Sequence, residues 1–235
     1  MLPRFYLIRH GETAWSISGQ HTGRTDVPLT APGEAAAQAL GRRLREISFT
    51  QVLTSPRQRA RRTCELAGLG AAAKIDPDLA EWDYGDYEGQ RTAGIVATRP
   101  NWNLFHDGCP QGESPAEISD RADRLIARLR TLEGNVALFS HGHFGRVLGA
   151  RWIGLPVTSA QHFLLGTASI SVLSHEHDRA DQPVIALWNA AGSEFFCPEP
   201  EPPASDGRRL EPRAIQRWEN EGGEIPHAGI SSLGG

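Results

Sequence analysis

Two short apolar runs constrain this chain more than any other feature. Phe5-Tyr6-Leu7-Ile8 and Asn135-Val136-Ala137-Leu138-Phe139 each break off at once into a polar, histidine-bearing tripeptide. The first becomes Arg9-His10-Gly11; the second passes through Ser140 into His141-Gly142-His143. Compact β-prone runs that stop this abruptly read as buried strands feeding functional loops. Helical patterns lie around them. Thr30 caps a predicted helix in which Ala36, Leu40, Leu44 and Ile47 recur at helical spacing. Val52-Leu53-Thr54 is a further strand, and Ser55-Pro56 is expected to open a second helix carrying Arg57, Arg59, Arg61 and Arg62. From Pro115, one face gathers Ile118, Ala122, Leu125, Ile126, Leu129 and Leu132. A further helix runs through Trp152, and Ser169 to Leu173 and Val184 to Trp188 read as closing strands.

Strands alternating with helices predict the α/β class: a three-layer αβα sandwich around a mostly parallel sheet covered on both faces. In that class ligands gather at the carboxyl ends of the strands. Both histidine tripeptides fall there. With 235 residues and 39% apolar side chains, the chain can bury one sizeable core. Residues 1–198 are expected to form that domain. Residues 70–114, rich in Trp, Asp and Gly and without clear periodicity, read as a lid over the site and not as core. Residues 199–235 turn Pro/Glu/Ser/Gly-rich and read as a tail that buries little, with a short helix around Ala214 to Glu219.

A formal net charge of -4 excludes the strongly basic footprint of a protein that grips nucleic acid by its phosphates, so any phosphate binding must be local. Cys64, Cys109 and Cys197 are odd in number and widely spaced, which points to neither a disulfide framework nor a zinc site and fits a reducing cytoplasm. The N-terminal apolar run is interrupted at Arg9 and reads as neither signal peptide nor membrane span. The expected partner is a small phosphorylated metabolite, with no nucleic acid and no membrane; a homo-oligomer is left open.

An imidazole at a strand end, followed by glycine, leaves backbone room for a tetrahedral anion. Phosphoryl transfer spreads charge over three oxygens, so the protein's task is chiefly positioning and electrostatic clamping. Arg9 and Arg59 offer planar paired donors for this without a metal. His141, if cationic, adds a donor, whereas His10 must be neutral at its attacking nitrogen. A leaving alkoxide needs a proton, which the carboxyl group of Glu81, within Glu81-Trp82-Asp83-Tyr84-Gly85, can supply; spacing alone leaves Asp83, Asp86 and Glu88 as competitors.

Taken together, Arg9-His10-Gly11-Glu12-Thr13, Leu53-Thr54-Ser55-Pro56-Arg57-Gln58-Arg59-Ala60, Glu81 in its Gly-rich turn and Ser140-His141-Gly142-His143 resemble, in order, the signatures of the histidine phosphatase superfamily, or phosphoglycerate mutase-like family. The resemblance spans roughly residues 4–193. It implies the phosphoglycerate mutase-like fold, phosphorylation of His10, a phosphate pocket completed by Arg9, Arg59 and His141, Glu81 as proton donor, and no metal or other cofactor. The second arginine of the family pattern falls on Arg59 and not on Arg57. Where many members carry asparagine after the tryptophan of the first motif, this chain has Ser16, which bears on one substrate contact. Gln20 to Asp26, Glu81 to Gly89 and Trp102 to Glu113 look most similar to the sedoheptulose-bisphosphatase-like branch, which favours phosphorylated sugars. That similarity makes Asp107, Gln20 and His143 candidate contacts for sugar hydroxyls or a second phosphate, with Thr22, Gly23 and Arg24 at the mouth.

The same residues also have plainer readings. Arg57, Arg61 and Arg62 are most simply a solvated helix face. His141-x-His143 and His175-x-His177 could each offer two metal ligands, but no clustered carboxylate or cysteine completes either set. Cys109 lacks an activating neighbourhood. The expected activity is phosphomonoester hydrolysis through a phosphohistidine, on a sugar phosphate or bisphosphate. The alternatives are a mutase, against which the EWDYG turn departs from the Glu-Arg-His-Tyr-Gly type turn of classical mutases, and a non-catalytic binding relative.

Overall fold

The computed structural model describes residues 2–191. The elements in chain order are β1 (Arg4–Arg9), α1 (Ala14–Ser18), α2 (Ala31–Leu44), β2 (Phe49–Thr54), α3 (Gln58–Leu66), β3 (Ala73–Ile75), α4 (Thr92–Thr98), α5 (Leu104–Asp107), α6 (Pro115–Leu129), β4 (Asn135–Ser140), α7 (Gly142–Trp152), β5 (Ile170–His175) and β6 (Pro183–Ala190). The strands form one sheet in the order β3-β2-β4-β1-β5-β6. β1, β2, β3 and β4 are mutually parallel, while β5 runs antiparallel to both of its neighbours. This is the expected α/β sandwich with a mostly parallel sheet. The tail expected over residues 199–235, with its short helix, lies outside the described residues.

The sheet is apolar on both faces because helices cover both. Along β1, Phe5 and Leu7 join one core with Val136 and Leu138 of β4, Leu125 and Leu129 of α6 and Val147 and Leu148 of α7. Alternation then turns Tyr6 and Ile8, Ala137 and Phe139 to the opposite face. They are buried there, as are Ala37, Leu40 and Leu44 of α2 and Ala60 and Cys64 of α3. Capping fixes where helices begin. Thr30 accepts from the Gly33 amide, and Ser114 and Glu117 form a reciprocal capping box with Pro115 at the first turn. Each such cap contributes about 1 kcal/mol.

The sequence expectations differ from the fold in two places. The second helix starts at Gln58 and not at Ser55-Pro56. Ser55 is held to the sheet by its amide on the Phe139 carbonyl, and Arg57 has the extended backbone of a cap residue. Residues 70–114 are also more than a lid. Ala73–Ile75 adds the edge strand β3, and Leu79, Trp82, Tyr84, Ile95, Trp102, Leu104 and Phe105 are buried in the same core as Phe5 and Leu7. These residues come from turns and helices of at most two turns, each burying one or two side chains, so their burial leaves no period in the sequence.

Candidate active site

Sheet register builds the site. Arg9 of β1 pairs with Ser140 of β4, and Thr54 of β2 with Phe139. Three adjacent parallel strands therefore end at one level, and the next residue of each, His10, His141 and Ser55, enters a common space. The rings of His10 and His141 lie 5.2 Å apart, centroid to centroid. Both residues are buried, and His141 is wholly inaccessible. Gly11 is required by the packing behind the loop: a Cβ there would stand 2.5 Å from the carbonyl oxygen of Gly33.

His10 Nδ1 lies 2.7 Å from the carbonyl oxygen of Gly11, an acceptor only, so this nitrogen carries the ring proton and Nε2 keeps its lone pair. Burial first, then the positive charges of Arg59 and Arg9, holds the His10 pKa well below the ordinary histidine value of 6.5. His10 is therefore held neutral, the state that attack by an imidazole nitrogen needs. His141, a further donor if cationic, is held toward the neutral form in the free site, where burial, Arg59 and the neighbouring His10 and Arg9 keep its pKa well below 6.5. Its Nε2 lies 2.7 Å from Ser55 Oγ, and the same Oγ accepts from the Arg57 amide. The Ser55 hydroxyl has no other acceptor among the described residues, so its proton goes to Nε2 and the ring proton of neutral His141 lies on Nδ1. Among the described residues, Nδ1 is buried without a partner. A neutral His141 thus still offers a donor.

Three arginines surround the pair. Arg9 donates to the Leu165 carbonyl and has its Nε buried without a partner among the described residues. Its guanidinium lies against Gly142, where a Cβ would come within 3.2 Å of Arg9 Cζ. Arg59, fully buried in the first turn of α3, donates to the carbonyls of Thr22 (2.8 Å), Gly23 (3.3 Å) and Thr25 (3.0 Å). Arg57 was expected on a solvated helix face; its Nε is instead buried, and its charge helps depress His141. Arg61 is exposed, and Arg62 pairs with Glu34.

Glu81 differs in position from the three competing carboxylates. Its Oε1 accepts from the amides of Trp82 (2.9 Å) and Phe144 (2.7 Å), and Oε2 from that of His143 (3.0 Å), so the carboxyl group sits on the N-terminus of α7. Asp83 pairs with Arg24, Glu88 accepts from the amides of Gly23 and Thr25, and Asp86 is exposed.

A cavity of about 280 Å³ opens in front of these groups. Arg9, His10 and Glu81 line it, as do Gln20, Thr22 and His143 from the expected substrate contacts. Arg59 and His141, both fully buried, do not line it, and neither do Gly23, Arg24 and Asp107. Asp107 accepts from the Asn103 amide and pairs with Arg99, which occupies its carboxylate within its own helical turn.

The cavity also has walls that were not singled out from sequence: His21, Tyr84, Thr92 and Arg146. The Tyr84 hydroxyl lies 2.6 Å from His143 Nδ1, and His21 stacks on Tyr84 at 4.7 Å. Arg146 donates to the carbonyls of Ala160 and Gln161 and lies over Phe105. Only Arg146 left a readable signal: it follows His143 by three residues in a helix, hence on the same face. Among the described residues, no three His, Cys, Asp or Glu side chains form a group that could hold a metal, and no helix is long and apolar enough to cross a membrane.

Comparison with known proteins places this geometry. The family model described as "Histidine phosphatase superfamily (branch 1)" matches residues 5–191. An acid phosphatase of Mycobacterium tuberculosis is 43% identical over 188 residues, covering 78% of this chain and 92% of the relative. Sedoheptulose 1,7-bisphosphatase of Saccharomyces cerevisiae is 35% identical over 265 residues, covering 86% and 97%. The solved structure of an open reading frame of M. tuberculosis superposes with a TM-score of 0.75 at 40% identity, covering 81% of this chain and 98% of that one.

Proposed function

Because the chain belongs to branch 1 of the histidine phosphatase superfamily, we propose that it is a phosphomonoester hydrolase that passes the phosphoryl group of a sugar phosphate or bisphosphate through His10. The observation that carries this reading is the state of His10: Nδ1 is committed to the Gly11 carbonyl, and a neutral Nε2 is left beside His141 and two guanidinium groups. Nε2 attacks phosphorus as the bond to the leaving oxygen breaks. Arg9, Arg59 and the Nδ1–H of His141 receive the charge on the equatorial oxygens.

Glu81 gives its proton to the leaving oxygen. Oε1 already accepts two amides and Oε2 one, which makes Oε2 the oxygen with room for that proton. Water then attacks the phosphohistidine, Glu81 takes up a proton of that water, and inorganic phosphate and free His10 are restored. The cavity suits a small molecule, and Arg146, a second cation on its wall, suits a substrate with another anionic group. The likeness to an acid phosphatase and a sedoheptulose bisphosphatase supports this substrate class. Cys64 and Cys109, both buried and uncrosslinked, fit the reducing cytoplasm.

The test incubates the protein with sugar bisphosphates and with 3-phosphoglycerate, following free phosphate, isomerised product and acid-labile phosphoenzyme. Phosphate release with a phosphoenzyme that vanishes in His10→Ala is expected. Release that survives His10→Ala overturns the mechanism. Isomerisation without release shows a mutase, and absence of any turnover shows a binding relative.

A further inference from the structure

Glu81 stands on an irregular segment, with neither helix nor strand to fix it, yet a proton donor must be held within a fraction of an ångström of its target. Arg121 of α6 supplies the missing constraint. Its side chain is nearly inaccessible, and each of its five N–H groups has an acceptor. Nε and Nη2 take the two carboxylate oxygens of Glu113, both at 2.7 Å, in a bidentate pair. Nη1 donates to the carbonyls of Asp78 (2.9 Å) and Ala80 (2.7 Å), and Nη2 to that of Glu81 itself (3.3 Å).

Glu113 closes the bracket from the other end. Its carboxylate accepts from the Asp83 amide (2.9 Å), its amide donates to the Asp83 carbonyl (2.9 Å) and its carbonyl accepts from the Trp82 indole (2.9 Å). The backbone before and after Glu81 is thereby pinned by one ion pair. The guanidinium carbon of Arg121 also lies 4.3 Å over the ring of Phe144, whose amide holds Glu81 Oε1. Neither Arg121 nor Glu113 lines the cavity.

We propose that the Arg121–Glu113 pair is the positioning device for proton donation by Glu81, acting through the backbone of residues 78–83 without touching substrate. The proposal rests on the reading of Glu81 as the proton donor. Lysine at position 121 keeps the charge but has three donors on one nitrogen, so it cannot span two carboxylate oxygens and three carbonyls. Glu81 would then be misplaced while the nucleophile and the phosphate cradle stay whole.

The test compares an alkyl phosphate, such as a sugar phosphate, with p-nitrophenyl phosphate, whose leaving group departs as a stable anion and needs no proton. Glu81→Gln sets the scale and is expected to lower kcat/KM for the alkyl ester by about 100-fold, far more than for the nitrophenyl ester. Arg121→Lys is expected to follow the same pattern at about tenfold. Glu113→Gln should show it as well and carries the test if Arg121→Lys fails to fold. Should Glu81→Gln discriminate between the esters while the pair variants slow both alike, or neither, the positioning proposal is overturned and Glu81 keeps its role. Should Glu81→Gln slow both esters equally, the donor reading falls and takes the proposal with it.

Discussion

His10 and His141 meet with their ring planes inclined by 62°, each carried one residue past the end of a strand, and both are pressed toward the neutral form by burial and by Arg59. A site that collects this much positive charge around two imidazoles suits a dianion. A bound phosphate dianion would favour the protonated form of His141 and leave the tautomer of His10, set by the Gly11 carbonyl, in place.

This predicts that neither ring titrates in the ordinary histidine range in the free protein. With ring carbon and nitrogen resonances assigned by His10→Gln and His141→Gln, both side chains should keep neutral-form shifts as pH falls through 6.5. Bound vanadate or phosphate should move the His141 midpoint upward. A midpoint at or above 6.5 for His10 without ligand would show that its burial and cationic neighbours do not act as argued.

Two glycines of the site separate stability from catalysis. In Gly11→Ala the new Cβ meets backbone, the Gly33 carbonyl oxygen at 2.5 Å, and neither chain can retreat freely. A loss of about 1–3 kcal/mol in denaturant unfolding is expected. In Gly142→Ala the new Cβ meets the guanidinium of Arg9 at 3.2 Å. That side chain can give by a few tenths of an ångström, so unfolding should change little while phosphate affinity drops. Equal destabilisation by the two variants, with unchanged affinity in Gly142→Ala, would contradict this division.

The parts that could be read from sequence are those whose signal is local. His10 and His141 end apolar runs, Arg59 sits in a helix motif, and the apolar face from Ile118 to Leu132 announces the helix that opens at Pro115. Glu81 could be named but not separated from Asp83, Asp86 and Glu88, because the separation lies in backbone amides of α7, distant in sequence. Tyr84 meets His143 across 59 residues, and nothing in its neighbourhood predicts that partner. The strand β3 stayed hidden because Lys74 and Ile75, at the sheet edge, are exposed and carry no alternation. Arg57 was misjudged for a related reason: the helix starts after it, so helical spacing does not govern where its side chain goes.

The Tyr84 hydroxyl fixes the tautomer of His143. Burial raises the Tyr84 pKa well above 10, so the phenol keeps its proton, and with no other acceptor among the described residues it donates that proton to His143 Nδ1, leaving the proton of neutral His143 on Nε2 as a donor for the cavity. Tyr84→Phe should convert the His143 nitrogen shifts from one tautomer to a mixture and destabilise the fold by about 1–3 kcal/mol, the cost of an unsatisfied buried acceptor. A single unchanged tautomer in the variant would show that some other group sets it.

His21 gives a stability prediction with a definite sign. It is stacked on Tyr84, edge-on to Trp102 at 5.7 Å and only 6% exposed. Burial, partly opposed by Glu88, brings its pKa from 6.5 down to about 4. Between those values the unfolded chain holds a proton on this residue and the folded chain does not. The unfolded state therefore binds more protons, and stability must fall as pH falls. The contribution is complete above pH 6.5, declines by up to about 1.4 kcal/mol per pH unit, and is exhausted near the folded-state value. His10, His141 and His143 have lowered pKa values too, so the whole protein loses stability more steeply than one residue can explain. Denaturant unfolding of His21→Gln across this range isolates the single contribution. The variant should start less stable at neutral pH and lose stability with a slope shallower by about one proton. A curve running parallel to that of the unaltered protein would mean that His21 takes up its proton equally in both states, and that its place between Tyr84 and Trp102 does not depend on its charge.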